Sequence, residues 1–321
     1  MKKKIALLLA GLMTAAMVTG CGGAGSAETT AADTKAAETT AADTKAADTT
    51  AADTAAADTT AADASGDASG DASADVQAIK DRGVLRVGVK NAVPGFGLQD
   101  ALTGEYTGME IDLGAKIAEE LGVDVEYTTV TAATRGELLD SGDIDCVLAT
   151  FTITEERKQT WDFTTPYYTD AVTVLVEDAS GIKTLADLKD KKVGVSSGST
   201  SARELTAAMI EAGVLDGEGF DRDTFDAATW TKGISYRQYE DYPAISTALS
   251  AGEIDAFCVD KSILAIYKTD GRSYIEDKFA PQEYGVVTKK GSGFSKVCED
   301  LVTKWLDDGT IQGLIDNYGL N

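Results

Sequence analysis

Two apolar runs of this chain end in polar residues that are able to bind opposite charges. Thr150, Thr152 and Arg157 follow one run, and Asp260 and Lys261 follow the other. Arginine suits a carboxylate because its planar guanidinium donates two parallel hydrogen bonds, and aspartate suits an ammonium group. If both runs border one cleft, the small molecule that carries both groups is an amino acid.

The two runs belong to two copies of one phrase, LLDSGDIDCVLA and TALSAGEIDAFCV. Four identical residues align in the two copies: Leu139, Gly142, Ile144 and Asp145 with Leu249, Gly252, Ile254 and Asp255. Each copy has the pattern of a helix, a glycine that ends it and a buried strand. The repetition predicts two similar lobes.

Strand and helix patterns alternate around each copy. Before the first copy come VLRVGVK (strand), GMEIDLGAKIAEELG (helix), VDVEYTTV (strand) and TRGELLDSG (helix); before the second come KKVGVSS (strand), STSARELTAAMIEAG (helix), ISYRQY (strand) and PAISTALSAG (helix). In STSARELTAAMIEAG, Ser201 and Glu204 have the spacing of a capping box. Alternation of this kind predicts an α/β fold with a parallel or mixed sheet in each lobe. In such sheets, ligands lie beyond the carboxyl ends of the strands.

Composition excludes several other functions. The formal charge of −24 disfavours nucleic acid and anionic membrane surfaces as partners. The chain has no histidine, which removes the commonest general base and the usual catalytic triads. The lack of histidine also removes most transition-metal sites, and the lack of a CxxC motif disfavours structural zinc, so we expect no metal. We also expect no cofactor. Three cysteines (Cys146, Cys258 and Cys298) are predicted to be buried small hydrophobes rather than disulfide partners.

The first 75 residues differ from the rest. Three lysines, an apolar run and VTGC predict a lipoprotein signal peptide over 1–20, with Cys21 lipidated after cleavage. Residues 21–75 repeat ETTAADTKAA with variations and lack aromatic residues, which predicts a disordered linker. A flexible coil of that length reaches about 40 Å. The chain is therefore expected to be extracytoplasmic, with a folded part over 76–321 that a lipid anchor holds at the cell membrane.

Five segments make the folded part resemble the bacterial extracellular solute-binding proteins of family 3: GVLRVGVKNAVPGFG, GMEIDLGAKIAEELG, ATFTITEERKQTWDFTTPYY, LADLKDKKVGVSSGST and DAFCVDKSIL. The resemblance covers residues 76–320. It implies the two-lobed fold of type II periplasmic binding proteins, with lobe 1 formed by 76–169 and 286–321, and lobe 2 by 170–285. The implied hinges fall near 167–171 and 281–285.

The resemblance also implies roles for individual residues. Arg157 matches the arginine that binds the ligand α-carboxylate, and Thr152 a threonine beside it. Thr200 matches a second carboxylate contact near a helix N-terminus, and Asp260 matches the acid that binds the α-ammonium group. Phe96 matches an aromatic wall of the pocket.

Further segments, TAATRGELLDSGDID, YEDYPAI and PQEYGVVTKK, are similar to the branch of the family that binds aspartate and glutamate. Arg135 matches a basic residue of that branch and would receive the side-chain carboxylate. Lys90 and Lys261 are expected to be positive neighbours. The chain has Ala132 where many members have Trp or Phe, so we expect no two-sided aromatic sandwich and more room for Arg135.

The implied function is that of a monomeric, non-enzymatic receptor for glutamate or aspartate, which serves a membrane permease and its ATPase. Glutamine or another polar amino acid is the alternative ligand. A dehydratase or lyase on the same scaffold is a different class, but the chain shows neither an extra catalytic acid nor a fused domain. A sensing role stays open.

Overall fold

The computed structural model of this protein describes residues 68–321. The predicted signal peptide, Cys21 and the linker up to residue 67 lie outside the described residues. Helix α1 spans Ala68–Arg82, so residues 68–75, which we assigned to the linker, belong to a helix instead. Alanine has the highest helix propensity, and α1 carries Lys80 and Arg82 in its last turn, where positive charge favours the helix dipole.

The first sheet has the strand order β5-β1-β6-β14-β7. Strand β1 pairs in parallel with β5 and β6, whereas β14 is antiparallel to β6 and β7. The strands are β1 (Val84–Val89), β5 (Asp124–Thr129), β6 (Cys146–Leu148), β7 (Trp161–Phe163) and β14 (Val287–Lys289). A small separate sheet consists of β2 (Ala92–Val93), β3 (Gly97–Gln99) and β4 (Tyr106–Thr107). The remaining helices of this half of the fold are α2 (Met109–Leu121), α3 (Thr134–Ser141), α4 (Glu155–Thr160), α8 (Gly293–Asp307) and α9 (Thr310–Asn317).

The second sheet has the strand order β10-β9-β11-β8-β12, and β13 also pairs with β8. Strand β9 is parallel to β10 and β11, and β8 is antiparallel to β11, β12 and β13. Its strands are β8 (Tyr168–Glu177), β9 (Lys192–Ser196), β10 (Ser235–Tyr239), β11 (Ala256–Asp260), β12 (Arg272–Tyr274) and β13 (Phe279–Tyr284). Its helices are α5 (Ser201–Glu211), α6 (Tyr242–Ser250) and α7 (Lys261–Leu264), with 3₁₀ turns at Asp178–Ser180, Leu185–Leu188 and Ala265–Tyr267.

The chain passes between the two sheets twice. It leaves the first sheet between β7 and β8 and returns between β13 and β14. These crossings give the predicted α/β, two-lobed architecture with mixed sheets. The lobe boundaries and hinges that we drew from the sequence are defined by movement and stay predictions.

The repeated phrase has the same structural role in both lobes. Gly142 and Gly252 follow helices α3 and α6 with positive φ angles of 81° and 68°, which glycine adopts without steric cost. The carboxylate of Asp145 accepts a hydrogen bond from Arg86 N at 2.8 Å, and that of Asp255 accepts one from Lys192 N at 2.8 Å. Each aspartate thus ties the start of its strand to the neighbouring strand.

Apolar packing follows the predicted strands and helices. Cys146, Cys258 and Cys298 are buried free thiols, as predicted, and burial raises the pKa of each.

The predicted capping box of α5 is wrong: the N-cap residue is Thr200, and Glu204 instead pairs with Arg203 and Arg222. A guanidinium offers Glu204 a stronger partner than a main-chain N–H does.

Within residues 68–321, no helix is both long and apolar enough to cross a membrane.

Candidate functional site

The carboxyl ends of the two sheets meet at a group of buried charged side chains. Thr150 and Thr152 follow β6 of the first sheet, and Asp260 ends β11 of the second. Arg157 lies close enough to Asp260 for its charge to affect the pKa of the carboxyl group. The structure therefore brings together the two residues on which the amino-acid interpretation depends.

Arg157 bridges the two lobes. Its main chain is held at the start of α4, because the Thr154 hydroxyl caps the helix and accepts from Arg157 N at 3.1 Å. The guanidinium donates to Thr152 O at 2.8 Å and, across the cleft, to Gly198 O at 3.0 Å. Burial and the neighbouring Arg135 lower the pKa of Arg157 to about 9, which leaves the group protonated at neutral pH.

Arg135 is 3% exposed and lies beside Arg157. Its Nη1 donates to Ala149 O at 2.6 Å and to Thr150 O at 3.0 Å. Thr150 has a φ of 47°, a conformation that is uncommon outside glycine and that sets the direction of this turn. The guanidinium of Arg135 lies 3.7 Å from the ring centroid of Phe151, and that of Arg157 lies 4.8 Å from the same centroid. One aromatic ring thus supports both cations.

Lys90 is the third cation of the group, at the end of β1 and 5% exposed. Burial, and then the charge of Arg135, hold its pKa well below the ordinary value for lysine. Its Nζ lies 5.6 Å from the ring centroid of Tyr242. Lys261 does not join this group: it is exposed and borders a separate surface cavity beside Asp170.

Two buried carboxyl groups face these cations. Asp260 accepts a hydrogen bond from the Tyr284 hydroxyl, and burial, together with Asp170, raises its pKa to about 7. Glu110, at the start of α2, is fully buried, and burial raises its pKa as well. Its Oε1 accepts from Thr150 N at 2.7 Å and from the Tyr167 hydroxyl at 2.5 Å, while its Oε2 has no partner among the described residues.

Thr152 and Thr200 share one hydrogen-bond acceptor. Both are buried, and both hydroxyls donate to Oε1 of Gln282, at 2.9 Å and 2.7 Å. Gln282 belongs to β13, the strand that carries the chain back towards the first sheet. The two threonines that the sequence assigned to the ligand are therefore joined by a residue that the sequence reasoning missed.

Phe96 and Ala132 lie around the edges of this group. Phe96 is fully buried, with its ring centroid 5.0 Å from that of Tyr168 and 5.9 Å from that of Tyr284. It thereby supports the tyrosine that binds Asp260. Ala132 lies against Gly198 of the other lobe: an added Cβ at Gly198 would lie 2.7 Å from Ala132 O.

Five residues of the site were missed by the sequence reasoning: Glu110, Phe151, Tyr242, Gln282 and Tyr284. All five lie within segments quoted above for the family resemblance, which assigned none of them a role: Gln282 and Tyr284 in PQEYGVVTKK, Tyr242 in YEDYPAI, Phe151 in ATFTITEERKQTWDFTTPYY and Glu110 in GMEIDLGAKIAEELG. Glu110 looks in the sequence like an acidic residue in the first turn of a helix, where such residues are favoured.

The two guanidinium groups of the site are available to an anion. The four hydrogen bonds that the guanidinium groups of Arg135 and Arg157 donate all go to main-chain carbonyl oxygens, so neither guanidinium is paired with a carboxylate among the described residues. Clustered cations of this kind suit an anion. Within the described part of the chain, no three Cys, Asp or Glu residues are arranged to hold a metal ion.

Similarity to known proteins places the chain in a family. The chain is 33% identical over 239 residues to the ABC transporter glutamine-binding protein GlnH of Bacillus subtilis, and the match covers 72% of this chain and 80% of the relative. It is 28% identical over 258 residues to the glutamate-binding protein GluB of Corynebacterium glutamicum, with coverage of 74% and 80%. A solved ancestral arginine-binding protein bound to arginine has 30% identity and a TM-score of 0.62, and the match covers 74% of this chain and 98% of that one.

The family model for the bacterial extracellular solute-binding proteins, family 3, matches residues 85–321. That range includes both sheets and every charged residue of the site described above. This protein therefore belongs to the bacterial extracellular solute-binding proteins of family 3.

Proposed function

We propose that this protein is the substrate-binding component of an amino-acid ABC transporter and that its ligand is glutamate or aspartate. The observation that carries the choice of ligand is the charge of this group, in which Lys90 and Arg135 are buried and Arg157 is half-buried. Three cations, Lys90, Arg135 and Arg157, face two carboxyl groups whose pKa values are raised. Such an excess of positive charge favours a ligand with a net negative charge, because an unpaired buried charge is costly.

In the proposed complex, each ligand group has its own partner. Arg157 binds the α-carboxylate, and main-chain N–H groups at the start of α5, next to Thr200, contribute because a helix N-terminus favours anions. Asp260 binds the ammonium group in its ionised form. Arg135, with Lys90 beside it, binds the side-chain carboxylate.

Binding is proposed to proceed by closure of the two lobes around the ligand. The bond from Arg157 to Gly198 O and the ion pair between Arg203 and Glu156, at 3.1 Å, join groups of different lobes. Charge-assisted bonds contribute about 1.5–3 kcal/mol each. Three such anchors contribute about 4.5–9 kcal/mol in total, before the costs of association are subtracted.

The closed form is proposed to dock on a membrane permease that an ATPase drives, with Cys21 carrying the lipid anchor. Co-purification of the full chain with a permease from membranes tests this transport role. Binding of the amino acid without any such partner would favour a sensor instead.

Calorimetric titration of the full chain with glutamate, aspartate and glutamine tests the ligand assignment. Acidic amino acids are expected to bind at least about tenfold more tightly than glutamine, since one charge-assisted bond is worth more than 1.4 kcal/mol. Arg135→Met is expected to abolish this preference, whereas Lys261→Met, a surface control outside the site, is expected to retain it. Equal affinities for the acid and the amide in the unmodified protein would refute the acidic assignment.

Glutamine is the second candidate, and one observation favours it. The chain is more similar to the glutamine-binding protein GlnH of Bacillus subtilis than to the glutamate-binding protein GluB of Corynebacterium glutamicum. In a glutamine complex, Arg135 would donate a hydrogen bond to the amide oxygen of the ligand side chain. The same titration decides between the two.

A further inference from the structure

Gln282 occupies an irregular point of the strand that connects the two lobes. The pairing of β13 with β8 shifts register between Phe279 and Pro281, and Ala280 has a φ of 47°. A bulge of this kind redirects a side chain, and such features cluster at functional sites. The side chain of Gln282 is buried, with the residue 2% exposed.

The orientation of the Gln282 amide follows from its own main chain. Its Nε2 donates to Ala280 O at 3.1 Å and to Pro281 O at 3.2 Å. A flipped amide would place its oxygen against these two carbonyl oxygens, which repel it. Oε1 therefore faces Thr152 and Thr200, whose hydroxyls both donate to it.

The two hydroxyls come from different parts of the fold. Thr152 follows β6 of the first sheet and forms a single antiparallel bridge with Tyr284, while Thr200 is the N-cap residue of α5 over the second sheet. A threonine hydroxyl has one proton and two lone pairs. With both protons directed to Gln282, the lone pairs are left for N–H donors of a ligand, and Thr200 contributes to an anion through its main chain.

We propose that Gln282 is a positioning residue for ligand binding: it fixes the two threonine hydroxyls, one from each side of the cleft, in a single hydrogen-bonded group. This inference rests on the proposed function, since it needs an amino acid in the cleft. Gln282 acts through Thr152 and Thr200 and is not itself assigned a contact with the ligand.

A double-mutant cycle tests the proposal, with calorimetric titration of glutamate and glutamine into the full chain. Gln282→Met keeps the length of the side chain and removes both polar atoms. We expect it to weaken the binding of the tighter ligand about tenfold, as the loss of ordered hydroxyl contacts implies. In a protein that already carries Thr152→Val and Thr200→Val, the same change is expected to cost less than about twofold, because the hydroxyls on which it acts are gone.

The outcome that overturns the proposal is additivity. If Gln282→Met weakens binding equally with and without the two hydroxyls, Gln282 has only a structural role. Should the methionine variant fail to fold, Gln282→Asn provides the same cycle, since it keeps the amide but is one methylene too short to hold both hydroxyls. Failure of the proposed function gives a different result, because the unmodified protein would then bind neither amino acid.

Discussion

Replacing Asp260 by asparagine separates what this carboxyl group costs the fold from what it contributes to ligand binding. Asparagine has the same shape and retains an oxygen that can accept from the Tyr284 hydroxyl. It cannot ionise, so the variant resembles the protonated form of Asp260. We expect the variant to be more stable than the unmodified protein without ligand and to bind an amino acid more weakly.

The size of the effect follows from the pKa of Asp260. Burial, with Asp170 next, raises this pKa from 3.8 to about 7 in the folded protein. Each pKa unit corresponds to about 1.36 kcal/mol, so ionised Asp260 costs the fold up to about 4 kcal/mol. Because the pKa of this acid is raised in the folded protein, ionisation of Asp260 lowers the free energy of unfolding. This loss of stability is absent below about pH 4, grows as pH rises, and is complete above about pH 7.

The assay is urea unfolding at about pH 4 and about pH 8, after bound amino acid has been removed by refolding from denaturant. Asp260→Asn is expected to raise the free energy of unfolding only at the higher pH. Titration at that pH is expected to show affinity on the order of 10- to 100-fold weaker, because the charge-assisted bond to the ammonium group is lost.

Asp187→Asn is a control of opposite sign. Main-chain N–H groups of Lys183 and Thr184 lower the pKa of Asp187, so its ionised form stabilises the fold, and its replacement should reduce stability at the higher pH. An Asp260→Asn variant that is no more stable than the parent at about pH 8, or that gains equally at both pH values, would refute the reasoning.

Two further substitutions test the closed arrangement and the carboxylate anchor. Gly198→Ala is expected to weaken binding about tenfold or more, because its Cβ would lie 2.7 Å from Ala132 O across the cleft. Gly213→Ala is the control: Gly213 has a similar φ of 70° but no atom within 4 Å of an added Cβ, so its replacement should leave affinity unchanged. Equal effects of the two substitutions would show that backbone strain alone is responsible. Arg157→Lys should also cost about tenfold in titration, since an ammonium group cannot hold two carbonyl oxygens and a carboxylate together. Arg237→Lys, which changes an exposed ion pair with Glu253, should leave affinity unchanged. If Arg157→Lys also retained its affinity, the bidentate role of Arg157 would be refuted.

Local features of the site were predictable from the sequence. The strands before Thr150 and Asp260 follow from apolar runs that are each preceded by a glycine and an aspartate. These features depend on neighbours within a few residues. The capping box at Ser201 failed for the opposite reason, because distant Arg222 takes the Glu204 carboxylate.

Long-range contacts of the site were not predictable. Glu110 lies 40 residues from Thr150, and Gln282 lies 82 residues from Thr200. Neither pairing has a local signature, because glutamate in a first helical turn and glutamine in a strand are ordinary choices. The exposed position of Lys261 likewise depends on the direction in which α7 leaves β11.

By itself, the sequence determined the elements of this protein, the repeated phrase and therefore the two lobes, since hydrophobic period and glycine stops act over short distances. It also determined that an arginine and an aspartate follow corresponding strands. Only the tertiary structure decided that three cations would share a buried site with raised-pKa carboxyl groups, and that one glutamine would hold a threonine from each side. Burial and close approach create these properties, and both arise only when distant segments of the chain meet.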